Sequence, residues 1–169
     1  KYMYGWSLTT AWDITTSGSS NSNFNLASQT GTPTGFCFSS DGTKLFTCVH
    51  STNKIYKYTL STAFDISTLS YSNQELSVPS STSYGVQINP TGTKLYVSNS
   101  TASDVKEWDL TTAYDLTTAS YNNVNLSIAQ ARSMAFNADG TKLYLVVDPA
   151  SSYVREYNLS TGFSLATAS

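Results

Sequence analysis

The chain repeats itself about every fifty residues, and that period constrains its fold more than any other feature. The string Asp41-Gly42-Thr43-Lys44-Leu45-Phe46 returns as Thr91 to Tyr96 and again as Asp139 to Tyr144, at offsets of 50 and 48 residues. A second motif begins at Trp6, Tyr58, Trp108 and Tyr157, at offsets of 52, 50 and 49. Two independent motifs on one period leave little room for coincidence.

One copy reads as four strands. Gly85 to Asn89 alternates apolar and polar residues, as a half-buried strand does. Pro90-Thr91-Gly92-Thr93 is a turn, and Lys94 to Ser98 a second strand, so the two form a hairpin. A polar loop from Asn99 to Ser103 leads to a third strand, Asp104 to Leu110. A longer connection, Thr111 to Tyr121, precedes a fourth strand, Asn122 to Ser127. Four short antiparallel strands per repeat is the period of a propeller blade. Helical solenoids of this period need amphipathic helices, and none is legible. Composition agrees. Charged residues are only 12% of the chain, while 28 Ser and 24 Thr crowd its 169 positions. Thr, Tyr, Val and Phe favour strand, and the good helix formers Glu, Lys, Gln and Arg are sparse. The fold expected is all-β: about three four-stranded antiparallel β-propeller blades, an incomplete repeat at each end, and no significant helix. We read residues 1–169 as one tandem-repeat region, with a partial repeat at 1–31 and repeats at 32–82, 83–130 and 131–169, the last incomplete.

The run from Gly85 to Leu110, GVQINPTGTKLYVSNSTASDVKEWDL, resembles the YVTN-type propeller repeat. The likeness covers about half of each repeat and recurs in all three turn-hairpin units. The longer third connection departs from it. The resemblance implies a bladed fold of a kind common on secreted and cell-surface proteins. It implies no activity, because propellers host many. It also implies that the residue before each first strand, Thr34, Tyr84 and Arg132, faces the central axis. Those three are the ligand-facing candidates.

Three turn-hairpin units are too few for a ring of about four to eight blades. Two readings follow: a segment of a longer array, or a processed subunit that needs neighbours. Either leaves unpaired strand edges, which invite another chain. The expected partner is the chain itself, as a homo-oligomer, a filament or further blades. The expected role is a non-enzymatic, extracellular or cell-surface structural protein that self-assembles through its blade ends into a ring or head-to-tail filament. The alternative is a carbohydrate- or receptor-binding module of an adhesin or phage-associated protein, with glycans as partners. A lactonase or lyase ranks third, since no acid–histidine set clusters in the sequence. The net charge of −2 gives no basis for gripping nucleic acid. No apolar run approaches the ~20 residues of a membrane helix.

Individual residues add little chemistry. His50, the one histidine, ends a second strand and reads as a surface loop residue. No catalytic residue, cofactor or metal site is expected. Asp13, Asp65 and Asp115 recur, and local Asx-turn bonding explains them better than calcium. Lys44, Lys94 and Lys142 read as solvated turn residues. Trp6, Tyr58, Trp108 and Tyr157, with Trp12, Phe64, Tyr114 and Phe163, read as packing between blades. Cys37 and Cys48 lie on the two strands of the first hairpin. They form a disulfide if the register sets them opposite, and otherwise stay as buried thiols. Asn99, Asn125 and Asn158 begin sequons for N-glycosylation, with Asn99 in the expected loop.

Overall fold

The computed structural model describes residues 1–18, 22–29, 31–79, 82–148 and 152–169. Four antiparallel sheets follow one another along the chain. β1 (Tyr2–Gly5) and β2 (Ser22–Asn25) form a two-stranded sheet. β3 (Pro33–Phe38), β4 (Lys44–Val49), β5 (Lys54–Leu60) and β6 (Leu69–Ser77) form a four-stranded one. β7 (Ser83–Ile88), β8 (Lys94–Asn99), β9 (Asp104–Leu110) and β10 (Ala119–Ser127) repeat it. β11 (Ala131–Phe136), β12 (Lys142–Val147) and β13 (Tyr153–Asn158) form a sheet of three. No α-helix occurs among the described residues; Ile14–Thr16, Ile66–Thr68, Leu116–Thr118 and Leu165–Thr167 are single 3-10 turns. The chain is all-β, as its composition and period require.

The sheets stack face to face. Side chains alternate across a strand, so a middle strand feeds two cores at once. In β8, Leu95 and Val97 join Phe46, Ile55, Trp108 and Leu110 between the two four-stranded sheets. Tyr96 points the other way and joins Leu143, Leu145 and Leu165 against the three-stranded sheet. Leu26, Tyr58, Leu60 and Ile66 fill the layer beside β1 and β2.

Each hairpin turn is braced by its own polar side chain. Asp41 Oδ1 accepts the Thr43 N–H at 3.0 Å, Asp139 Oδ1 accepts that of Thr141 at 3.0 Å, and Asn89 Oδ1 accepts that of Thr93 at 2.8 Å. Gly42, Gly92 and Gly140 take positive φ, +69° to +72°. An aromatic ring from the long connection lies on each glycine: Phe64, Tyr114 and Phe163, themselves at φ 59° to 61°. A Cβ on Gly92 would sit 2.5 Å from the Tyr114 ring. Gly92→Ala therefore meets both a left-handed backbone and a ring, and is expected to cost about 1–3 kcal/mol in urea unfolding. Gly18→Ala, with open space around it, is the neutral control.

Cys37 and Cys48 are both buried free thiols. The register sets Cys37 opposite Phe46 and Cys48 opposite Gly35. That diagonal offset corresponds to about 7–8 Å, too far for the bridge the hairpin had allowed. Burial pushes both thiols up to about 12. The folded chain thus keeps protons that the unfolded chain releases near the ordinary value of 9.0. The stability this contributes is complete below that value and is lost as pH climbs toward 12. The urea midpoint is expected to hold to about pH 8.5 and fall above it. Iodoacetamide at pH 8 is expected to label neither cysteine until urea unfolds the chain; labelling at the rate of a free thiol would contradict this.

Asn99 is not a loop residue. It ends β8 with no exposure, and its amide donates to Asp104 Oδ1 at 2.9 Å. A glycan cannot be accommodated there. Asn125 on β10 and Asn158 on β13 are exposed.

Candidate functional site

The first strand of every larger sheet carries the same irregularity. Pairing shifts between Pro33 and Gly35, between Ser83 and Gly85, and between Ala131 and Ser133. The extra residues are Thr34, Tyr84 and Arg132, the three positions the resemblance marked as facing the axis. A bulge takes its residue out of the ladder and re-aims the side chain, which is why bulges gather at functional sites.

These three ends come together because the backbones approach closely. A Cβ on Gly35 would sit 2.5 Å from the Tyr84 carbonyl oxygen, and one on Gly85 would sit 3.3 Å from that of Arg132. Only glycine permits such an approach in a strand. The first strands enclose a cavity of about 80 Å³ lined by Thr34, Phe36, Tyr84, Gln87, Arg132 and Met134. Thr34 Oγ1 donates to the Ser83 carbonyl at 3.1 Å and ties the first two sheets at that end.

Tyr84 is the middle of a row drawn from three sheets. The Arg132 guanidinium lies over its ring, 4.3 Å from the centroid, a cation–π contact. The His50 imidazole lies 5.2 Å from the same ring, tilted by 33°. Arg132 Nη2 reaches Asp148 Oδ2 at 3.2 Å, and Asp148 Oδ1 accepts from Ser152 Oγ at 3.1 Å. Both partners of that ion pair are partly exposed, so it orients the guanidinium more than it stabilises the fold. His50 Nδ1 is buried without a hydrogen-bond partner.

His50 lies in the turn after β4, where its sequence context put it, but it is half-buried rather than on the open surface. Its backbone N–H donates to the Thr32 carbonyl at 2.9 Å, which returns the end of β4 to the start of β3. The same hairpin geometry brings Asp148 beside Arg132. Counted from the turn at 41–43, the regular register puts residue 50 opposite residue 33; the bulge at Thr34 moves it to Thr32. The contact of His50 with Tyr84 crosses sheets, and no pattern within a repeat reveals it.

The other recurrent residues have structural duties. Asp13, Asp65 and Asp115 cap the 3-10 turns, each accepting a backbone N–H at 2.9–3.0 Å. Those bonds, with the Thr15, Ser67 and Thr117 hydroxyls, hold the three carboxyls below the usual range. The turn lysines pair with acids: Lys44 with Asp41, Lys94 with Glu107 and Asp109, Lys142 with Glu156. Tyr58 and Trp108 are buried between sheets as expected, but Trp6 and Trp12 are exposed. Among the described residues, no three His, Cys, Asp or Glu side chains converge to hold a metal ion. A larger hollow of about 410 Å³ between β1 and β3 is lined mainly by apolar groups, including Tyr2, Tyr4, Phe36, Phe38 and Phe64.

No family model and no curated protein matches the chain, so membership of the YVTN-type family is not shown. Its fold does match solved structures. A candidate 6-phosphogluconolactonase from Bacteroides uniformis aligns over 99% of this chain and 50% of its own, at 13% identity and a TM-score of 0.66. Another from Bacteroides fragilis aligns over 81% of this chain and 36% of its own, at 16% identity and a TM-score of 0.60. The periplasmic gluconolactonase of Pseudomonas aeruginosa aligns over 76% and 36%, at 14% identity and a TM-score of 0.57. The chain thus spans between a third and a half of these relatives' length. At such identities the likeness establishes the fold. It also overturns the expectation of a non-enzymatic structural protein, which had rested on the lack of a catalytic cluster: several chains sharing this architecture are named as lactonases.

Proposed function

We propose that the chain carries the substrate site of a propeller hydrolase that opens the lactone rings of sugar acids. The row of His50, Tyr84 and Arg132 carries this reading. It joins an imidazole, a phenol ring and a guanidinium from three sheets at the bulged strand ends. The lactonase descriptions of the structural relatives support the substrate class. The turn-hairpin motifs support placing the repeat beside the YVTN type.

The proposed chemistry is addition of water to the lactone carbonyl, followed by cleavage of the ring acyl C–O bond. A hydroxyl, a carboxylate and one proton are released. Arg132, held by Asp148 and by the Tyr84 ring, offers paired N–H donors to the carbonyl oxygen as negative charge grows there. With His50 Nδ1 buried, Nε2 is the nitrogen that takes a proton from the attacking water. The Tyr84 ring, stacked between the two groups, sets their spacing and orientation.

Hydrolysis of glucono-δ-lactone, followed by pH-stat, tests the reading. The wild-type chain is expected to exceed the buffer rate, and Arg132→Met to lose most of that excess. A wild-type rate equal to buffer would refute it.

A further inference from the structure

We infer that the uncovered face of the β1–β2 sheet docks head-to-tail on the uncovered face of the β11–β13 sheet in a second copy of this chain. The interfaces already inside the molecule specify the contact.

At both junctions between the larger sheets, a side-chain acceptor of the earlier sheet takes the N–H of the residue that opens the next 3-10 turn. At the junction of the last two, Tyr96 on β8 donates its hydroxyl to the Phe163 carbonyl at 2.5 Å. Glu107 on β9 accepts the Leu165 N–H at 2.8 Å. At the preceding junction, Gln74 Oε1 accepts the Leu116 N–H at 3.2 Å, and Lys44 Nζ lies 5.0 Å from the centre of the Tyr114 ring. Each sheet thus offers a lysine, a tyrosine or an acid (or amide) to the aromatic connection of the next.

Among the described residues both halves of such a junction lie uncovered, with Lys142 and Glu156 paired to each other. By the period of the repeat, Lys142, Tyr144 and Glu156 are the counterparts of Lys44, Tyr96 and Glu107. Tyr144 and Glu156 face each other across β12 and β13, as Tyr96 and Glu107 do across β8 and β9. Val146 and Val154 lie exposed on the same sheet. At the other end, Trp12 and Ile14 are the counterparts of Phe163 and Leu165. Ile66, Leu116 and Leu165 are 2–5% exposed, whereas Ile14 is 78% exposed and Trp12 98%. Trp6 and Leu8 are exposed where Trp108 and Leu110 are buried. Trp12 nonetheless keeps the left-handed backbone of its counterparts, φ 66°, a conformation costly for a bulky residue.

In the docked pair, the Tyr144 hydroxyl of one copy donates to the Trp12 carbonyl of the other. Glu156 accepts the Ile14 N–H, and Lys142 lies over the Trp12 ring. Val146 and Val154 cover Ile14 and Leu8. Because the two faces differ, the contact is heterologous and can propagate.

Complementation tests it. Ile14→Asp blocks one face and Val154→Arg the other; both side chains are exposed, so each variant is expected to keep the wild-type circular dichroism. Light scattering is expected to give the wild-type chain at twice its 18.3 kDa or more. Each variant alone is expected to be a monomer, and their equimolar mixture to recover a dimer, since each brings the face the other lacks. A wild-type monomer, a mixture that stays monomeric, or either variant associating as the wild type does would overturn the proposal. If either charge variant unfolds, Trp12→Ala and Val154→Ser replace them with the same expected outcomes.

Discussion

Replacing Glu107 with alanine is expected to destabilise the chain by about 3 kcal/mol, among the largest single-residue effects here. Glu107 is 1% exposed on β9. One carboxylate oxygen takes the Lys94 ammonium at 2.5 Å and the Asn122 amide at 2.8 Å. The other takes the Leu165 N–H of the next sheet. Alanine strands that buried N–H and leaves Lys94 with only Asp109, 2.7 Å away. It also opens a void between sheets. Glutamine separates the contributions, since an amide oxygen already does this work where Gln74 meets Leu116. Urea unfolding is expected to rank wild type above Glu107→Gln and Glu107→Ala last. A fully stable alanine variant would show that the sheets do not depend on this acceptor.

Removing the imidazole is expected to act on rate far more than on stability. His50→Ala should lower kcat/KM for lactone hydrolysis by about 10²–10⁴, the range for a positioned general base. Its Nδ1 satisfies no other group, so the unfolding midpoint should fall only by the packing lost against Tyr84. Arg132→Lys probes the other end of the row. Lysine keeps the charge but loses the planar pair of donors and its stacking on Tyr84. The rate should therefore fall although the charge is unchanged. Equal rates for His50→Ala and wild type would remove the imidazole from the mechanism.

The strands were legible in the sequence because their pattern is local. The third strand, Asp104 to Leu110, coincides with β9, and the hairpin around Gly92 lies where the turn residues put it. The stacking order followed from the period. Three features were not legible. The 3-10 turns resemble loops, since their caps are ordinary Asp, Ser and Thr residues. Asn99 looked like loop because its amide is satisfied by Asp104, a partner beyond the strand end. The site itself was half visible. Thr34, Tyr84 and Arg132 could be placed at the axis by resemblance, but the bulges that turn them inward depend on pairing geometry. His50 and Asp148 join them through contacts that no single repeat encodes.

The single histidine makes the proposed site directly observable. Gluconate, the stable product of glucono-δ-lactone hydrolysis, can be titrated into the protein while the His50 ring protons are followed by NMR. A saturable shift of those resonances is expected in the wild-type chain, and its loss in Arg132→Met. Unchanged His50 resonances at millimolar gluconate, or an equal shift in both proteins, would contradict it.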